Sequence, residues 1–193
     1  VIFSILGLFT TTVFASIWAV FGRINIEFHL IFLILNIGIY LKFKNEIQIL
    51  YKSFFLELKA LTLSLKIALL FIFILILAQC ASIPYIIDNE SYYIQTIKWI
   101  NEYGFVKGVA NLHLFLAQTS GWHITQSVFN FSFLYNKFND LSGFCLLLGN
   151  IYAFLHLNSY FKNNETNHLI IGFLPLVNIF LFTFISTPSP DLP

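Results

Sequence analysis

One uninterrupted apolar stretch, KIALLFIFILILAQC at residues 66–80, constrains this chain more than any other part of its sequence. After its first lysine the stretch contains no charged residue. A membrane-spanning helix needs about 20 consecutive, mostly apolar residues. The stretch therefore predicts a transmembrane helix, which we extend over residues 63–82.

Further apolar segments of similar length predict that the chain crosses a membrane several times. They cover residues 1–21, 26–41, 141–161 and 168–185. Charged residues make up only 10% of the chain, whereas a soluble domain carries about 25%. We therefore predict an all-α, polytopic transmembrane helical bundle with five spans. The net charge of +1 gives no basic field for nucleic acid.

Lysines in the connections predict the orientation of the spans, because positive charge favours the cytoplasmic side. The best cytoplasmic candidate is the connection that begins at Lys42 and ends at Lys66, with five lysines and two glutamates. The predicted organisation is a transmembrane hairpin at residues 1–41, a cytoplasmic loop at 42–62 and a core at 63–193. The absence of methionine and an end just after an apolar run predict a fragment of a longer protein.

Within the core, residues 83–139 form a long extracytoplasmic insert. Its first part predicts an amphipathic helix over residues 91–103, because Tyr93, Ile97 and Ile100 share one face. Gly104 is expected to end that helix, and a short helix is expected over residues 110–118. Residues 122–138 are rich in phenylalanine on one side. They form either a helix lying in the membrane interface, which we favour, or a short polar span.

Acidic side chains at the outer side are the candidates for chemistry. Asp88 either caps the following helix, with Glu90 in its first turn, or acts as an acid or base at the membrane surface. Asp191 follows two prolines and either belongs to a plain loop or is a second acid held beside Asp88. His113 is either structural or, with Lys98 and Lys107, a phosphate contact.

Polar residues inside the apolar segments predict contacts between helices. We expect interhelical hydrogen bonds from four asparagines, namely Asn36, Asn150, Asn158 and Asn178. Cys80 and Cys145 are expected to be packing residues.

The order of these features resembles that of a known superfamily. An outward helix is followed by Asp88-Asn89-Glu90-Ser91-Tyr92-Tyr93, then by an amphipathic helix, and a later span closes with STPSPDLP at residues 186–193. This order resembles the GT-C superfamily of polyprenyl-phosphate-sugar-dependent glycosyltransferases, such as protein mannosyltransferases and lipid A aminoarabinose transferases. It is more closely similar to an uncharacterised family of bacterial multi-spanning membrane proteins related to them.

The resemblance implies a function for the acids. The acid in the first external loop of the superfamily is the catalytic base, and Asp88 matches it. Asp191 matches a second external acid that helps to bind donor or a divalent metal. Many members have two adjacent acids, whereas this chain has Asn89 after Asp88, so Glu90 is expected to assist instead.

The implied partners are membrane lipid, a polyprenyl-phosphate sugar donor and an unidentified acceptor at the outer face of a bacterial inner membrane. The alternative function is non-catalytic: a carrier, flippase or assembly subunit for lipid-linked sugars. A carrier should place ionisable groups in mid-membrane, and the predicted spans have none of Asp, Glu, Lys or Arg deep inside.

Overall fold

The computed structural model describes residues 1–84, 86–135 and 141–190, and throughout these ranges it is all-α, without a strand. The first half contains four helices: α1 (Ile2–Phe21), α2 (Ile26–Lys42), α3 (Lys44–Lys59) and α4 (Leu63–Cys80). The remainder contains α5 (Ile94–Tyr103), α6 (Gly121–Phe129), α7 (Leu141–Asn163), α8 (Thr166–Gly172) and α9 (Leu174–Leu181). The predicted fold class is confirmed.

In the described part of the chain, fewer helices have the length and composition of a membrane span than the five that we predicted. Among the described residues, α1, α4 and α7 are long and apolar enough to cross a membrane, and α2 with α3 adds a fourth span only if that bent pair counts as one. Several long apolar helices indicate an integral membrane protein. The predicted fifth span breaks at Phe173 into α8 and α9. Pro175 lies in the first turn of α9, where its missing N–H and its ring prevent one continuous helix.

The connection predicted as a cytoplasmic loop contains the helix α3. The axis of α3 is turned by 88° from that of α2, and no residue of α3 is buried. Charged residues marked this segment as a connection, but its apolar residues also recur at the three- and four-residue spacing of a helix.

Helices α4, α7 and α8–α9 form an antiparallel bundle. At one end, Thr62 before α4 donates its backbone N–H to Asn158 late in α7 (3.3 Å). At the other end, a Cβ placed on Gly143 early in α7 would lie 2.3 Å from the Cys80 sulfur, so the two helices are in close contact there. Leu61 and Leu65 pack with Phe154 in a small hydrophobic core.

The interhelical asparagines were predicted correctly at three of four positions. Asn150 and Asn178 exchange side-chain hydrogen bonds of 3.1 and 2.8 Å, and Asn158 joins α7 to the α3–α4 turn. Asn36 is the exception, because it bonds to Phe32 within its own helix. A buried amide pair of this kind fixes the register of α7 against α9.

A second core joins the α1–α2 hairpin to the external insert. Ala15 and Ala19 of α1 pack with Phe28 of α2, Ile100 of α5 and Ile124 of α6. The predicted apolar face of α5 is confirmed, since its members are at most 2% exposed. The α1–α2 turn is therefore part of the packing of the insert.

Hydrogen bonds centred on Asn101 lock this junction. Its side-chain amide donates to the backbone carbonyls of Ile24 and Ser127, both at 2.8 Å. Its side-chain oxygen accepts a bond from Asn130 at 3.1 Å. Backbone bonds add to the junction, since Ile24 donates to Ile100 at 3.1 Å. These bonds give the buried amide of Asn101 partners for both its N–H groups and its oxygen.

Two other expectations for the insert are corrected. Residues 110–118 form two short 3-10 turns, Val109–Asn111 and Leu114–Ala117, instead of one α-helix. Helix α6 has only 9 residues, too few for a span, and its residues from His123 to Val128 are all buried. It lies packed against α1 and α5. Phe131 and Phe133 follow the end of α6, so the helix does not carry the phenylalanine-rich side that we expected.

Gly104 ends α5 as predicted, and the structure gives a second reason for glycine there. Its φ is +73°, and a Cβ would lie 2.4 Å from the carbonyl oxygen of Gly22. We expect Gly104→Ala to destabilise the fold by about 2 kcal/mol or more and to lower the Tm in detergent by roughly 4–8 °C.

Gly38→Ala is the matched control, because no atom lies within 4 Å of a Cβ at that helical position. We expect its Tm to equal or exceed that of the wild type, since alanine favours helix. Equal Tm values for the two variants would contradict the close contact between α1 and α5.

Candidate active site at the outer end of α4

The acidic turn after α4 has one exposed and one buried side. Residues Asn89–Tyr93 form a single π-helical turn, in which Ile94 donates its N–H to the carbonyl of Asn89. Asp88 and Glu90 are exposed, whereas Asn89 and Tyr93 are 1% and 2% exposed. Single π-turns inserted in helices are frequent at functional sites. Here the turn directs the two carboxylates outward.

Asp88 does not cap the helix through its side chain. It occupies the N-cap position of the turn, but no cap hydrogen bond forms from its carboxylate. The local bond is instead from the Ser91 hydroxyl to the Asp88 backbone carbonyl, at 3.2 Å. The capping interpretation of the Asp88 carboxylate is therefore wrong, and this exposed group is open to other partners.

Asn89 faces into the protein, where the resemblance led us to look for a second acid. Its side-chain oxygen is buried and accepts no hydrogen bond. Its amide approaches Glu90 at 3.5 Å, at the limit of a hydrogen bond. Position 89 therefore cannot present a group beside Asp88, and Glu90 is the neighbouring acid on the exposed side.

Aromatic rings connect the acidic turn to His113. The Tyr92 ring lies 5.0 Å from that of Phe115, and the Phe115 ring lies 5.5 Å from that of His113. These separations are typical of packed aromatic pairs. The structure thus brings the exposed His113 towards the segment that carries Asp88 and Glu90.

The candidate lysines lie farther along the insert. Lys98 is exposed on α5, about 12 Å beyond Glu90 along the helix axis. Lys107 follows Gly104, at the far end of that helix. The structure does not bring either lysine to the acidic turn.

The basic residue of the α1–α2 turn pairs with an acid of its own hairpin. Arg23 forms an exposed salt bridge with Glu27. The hydrogen bond that the Arg23 guanidinium donates to the Glu27 carboxylate raises the pKa of Arg23. The positive charge of Arg23 is therefore paired with Glu27 and not with the acidic turn.

The segment that precedes Asp191 lies at the same end of the bundle as the acidic turn. Ile185 accepts a weak bond from the Cys80 thiol (3.9 Å), and Thr187 accepts one from Ser142 (3.3 Å). Cys80 ends α4, and Ser142 is in the first turn of α7. Ser186, Thr187 and Ser189 are at most 4% exposed. Asp191 itself lies outside the described residues.

The cavity beside α5 does not reach the acids, and the described part of the chain holds no cluster of metal-binding side chains. A cavity of about 230 Å³ lies between α5 and the two 3-10 turns, with Thr96, Trp99 and Leu116 in its lining, but neither Asp88 nor Glu90 contributes to it. Within the same ranges, no group of three or more histidine, cysteine or acidic side chains has the arrangement of a metal site. Metal binding through Asp88 and Asp191 stays a prediction.

Sequence reasoning assigned no role to two polar groups at the opposite end of the bundle. His156 and His168 approach each other at 2.8 Å, and His168 also contacts Glu165 at 3.2 Å. Lys66 and Lys162 meet the turn between α3 and α4. The spacing of His156 and His168 spans a helix break and gives no periodic signal, so only the fold reveals this pair.

The buried position of Asn89 predicts that an acid there is harmful. We expect Asn89→Asp to lower the Tm at neutral pH, because burial penalises the charged carboxylate and raises its pKa in the folded state. The loss should be complete above that raised pKa and should vanish below the unfolded value of about 3.9. Thermal unfolding in detergent over a range of pH measures this.

Asn111→Asp is the matched control, because Asn111 is exposed on the same insert. Its Tm should stay at the wild-type value across the pH range. An Asn89→Asp protein as stable as this control at neutral pH would contradict the burial of position 89.

Comparison with known proteins gives one match. No curated protein and no solved structure matches this chain. The profile of a family described as "Domain of unknown function (DUF8201)" matches residues 1–193. The match covers the α1–α2 hairpin, the insert and the α4–α7 bundle together. The chain therefore belongs to the DUF8201 family.

Proposed function

We propose that this protein is a membrane glycosyltransferase that transfers a sugar from a polyprenyl-phosphate donor to an extracytoplasmic acceptor. The observation that carries the proposal is that the segment before Asp191 packs at the end of α4 from which the chain leads to Asp88. The acidic turn follows α4 within eight residues of Cys80, and the segment from Ile185 to Ser189 packs at that same end. The resemblance to GT-C enzymes places both catalytic motifs on one face, and this arrangement agrees with it.

Asp88 has the exposure that a general base requires. Its carboxylate accepts the proton of the acceptor hydroxyl as the acceptor oxygen attacks the anomeric carbon of the sugar. The bond between that carbon and the phosphate oxygen breaks, and polyprenyl phosphate leaves with the electron pair. The configuration of the sugar inverts. A base of this kind must come within about 2.6–3.2 Å of the acceptor oxygen, directly or through one water.

Supporting roles follow from position. Glu90 shares the exposed side with Asp88 and assists it, and His113 is the nearest of the three proposed phosphate contacts. Lys98 and Lys107 lie farther away and would meet the donor only at its periphery. Asp191 would bind the donor or a divalent metal, which would neutralise developing phosphate charge.

The alternative, a non-catalytic carrier, flippase or assembly subunit for lipid-linked sugars, uses the same outer face without turnover. The described parts of α1, α4 and α7 hold no aspartate, glutamate, lysine or arginine in their middle thirds. A carrier that moves a charged head group needs such charged side chains there, so transfer is the better supported proposal.

Asp88→Asn tests the proposed base. We expect it to lower sugar transfer by about 10²–10⁴-fold, the usual contribution of a general base, with little change in Tm because the side chain is exposed. The assay uses membranes that contain the protein and a panel of radiolabelled polyprenyl-phosphate hexoses. Release of polyprenyl phosphate and labelling of acceptor are both measured.

Glu102→Gln is the control, because Glu102 is an exposed acid at the far end of α5. It should retain wild-type transfer. Unchanged transfer in Asp88→Asn would overturn the catalytic assignment. Donor binding without transfer in the wild-type protein would favour the carrier.

A further inference from the structure

Helix α3 has the charge and apolar pattern of a helix that lies in a membrane surface. Ile47, Leu50, Phe54 and Leu58 fall on one arc of the helix. On one flank of that arc, Lys44, Lys52 and Lys59 lie within about 80° of one another on an ideal helix. The two glutamates of α3, Glu46 and Glu57, lie on the other flank. Basic amphipathic helices with this separation lie at the level of lipid head groups.

The packing of α3 agrees with that depth. The helix turns by 88° at the end of α2 and leads directly into α4, so it bridges the ends of two apolar helices. Leu58 packs against the core of Leu61, Leu65 and Phe154. An open groove of about 570 Å³ lies in the angle between α2 and α3. The apolar arc of α3 thus faces the same side of α3 as the apolar helices α2 and α4.

The side chains of two lysines, one from α4 and one from α7, reach the turn where α3 ends at Lys59. The Lys66 ammonium donates to the backbone carbonyl of Lys59 at 2.7 Å. The Lys162 ammonium donates to the carbonyl of the next residue, Ala60, at 3.4 Å. Both ammonium groups are exposed and keep donors for a further partner, since each has three N–H groups. We call Lys59, Lys66 and Lys162 the lysine site.

The lysine site has an excess of positive charge at a defined depth. The salt bridges recorded in the described ranges are Arg23–Glu27 and His168–Glu165. The acids nearest along the chain to the lysine site, Glu57 and Glu165, therefore form no salt bridge with its lysines. Five of the chain's ten basic residues lie between positions 42 and 66. The first turn of α4 and the last turn of α7 hold two members of the site, so it lies at the edge of the hydrocarbon.

We propose that the lysine site binds the phosphate of an anionic phospholipid in the leaflet where α4 begins and α7 ends. The backbone carbonyls of residues 59 and 60 hold two ammonium groups side by side, and a phosphate carries the complementary charge. The acyl chains of the lipid then run along the exposed apolar surface of α4. The lysine distribution predicts that this leaflet is cytoplasmic, where anionic lipids attract basic segments.

The test uses the whole protein in detergent, with bound lipid counted by native mass spectrometry during titration with phosphatidylglycerol or phosphatidylcholine. We expect tighter binding of phosphatidylglycerol. The double variant Lys66→Gln with Lys162→Gln should weaken phosphatidylglycerol binding about 30-fold, because each lysine near a lipid surface contributes about fivefold in affinity. The matched control, Lys44→Gln with Lys52→Gln, removes the same charge from the same surface and should weaken binding much less.

Three outcomes would overturn the proposal. Equal binding of the two lipids would remove the preference for an anionic head group. Equal weakening by the two double variants would show a general charge effect without a defined site. Displacement of the lipid by millimolar inorganic phosphate would assign the site to a soluble anion. The Tm of each variant is measured alongside, so that a loss of folding is recognised separately.

Discussion

The hydrogen-bonded junction at Asn101 determines the arrangement of the outer half of the molecule. The buried side-chain amide of Asn101, near the end of α5, forms hydrogen bonds with the α1–α2 turn and with α6. A buried amide that loses its partners costs about 1–3 kcal/mol for each unpaired group, so these elements hold one another in a single arrangement. Because the acidic turn begins α5, the junction also sets where the carboxylates stand relative to the hairpin.

Charge is separated between the two ends of the α4–α7 bundle. Asp88 and Glu90 follow the C-terminal end of α4, whereas Lys66 and Lys162 lie at the end where α4 begins. Helix α4 has 18 residues and is about 27 Å long, close to the roughly 30 Å of bilayer hydrocarbon. Each charged group therefore lies near a lipid–water boundary, where its hydration costs little. The length of the apolar helix and the position of the charges at its two ends both agree with a membrane-spanning α4.

Long apolar runs and helix periodicity were sufficient to predict α1, α4, α7 and the buried face of α5. They failed where tertiary packing decides. The apolar run at residues 168–185 is long enough to span, but Pro175 divides it. Helix α6 has a polar side, and tertiary packing buries that side. No local sequence pattern reveals this packing. At the candidate site, the pattern after α4 marked Asp88 and Glu90 as exposed side chains, as the structure has them, but it gave no sign that Asn89 points inward.

The inward position of Asn89 has a consequence for the proposed chemistry. A metal bound by two adjacent acids needs both carboxylates on one side of the helix, and here position 89 lies on the buried side. Asp88 and Glu90 are separated by one residue at the π-turn. Both lie on the exposed side, although they are not adjacent in the sequence. Under the proposed function, a polyprenyl phosphate keeps its chain in the bilayer and its phosphate at the boundary, close to the level at which α4 ends. The donor would then reach Asp88 by lateral diffusion, without leaving the membrane.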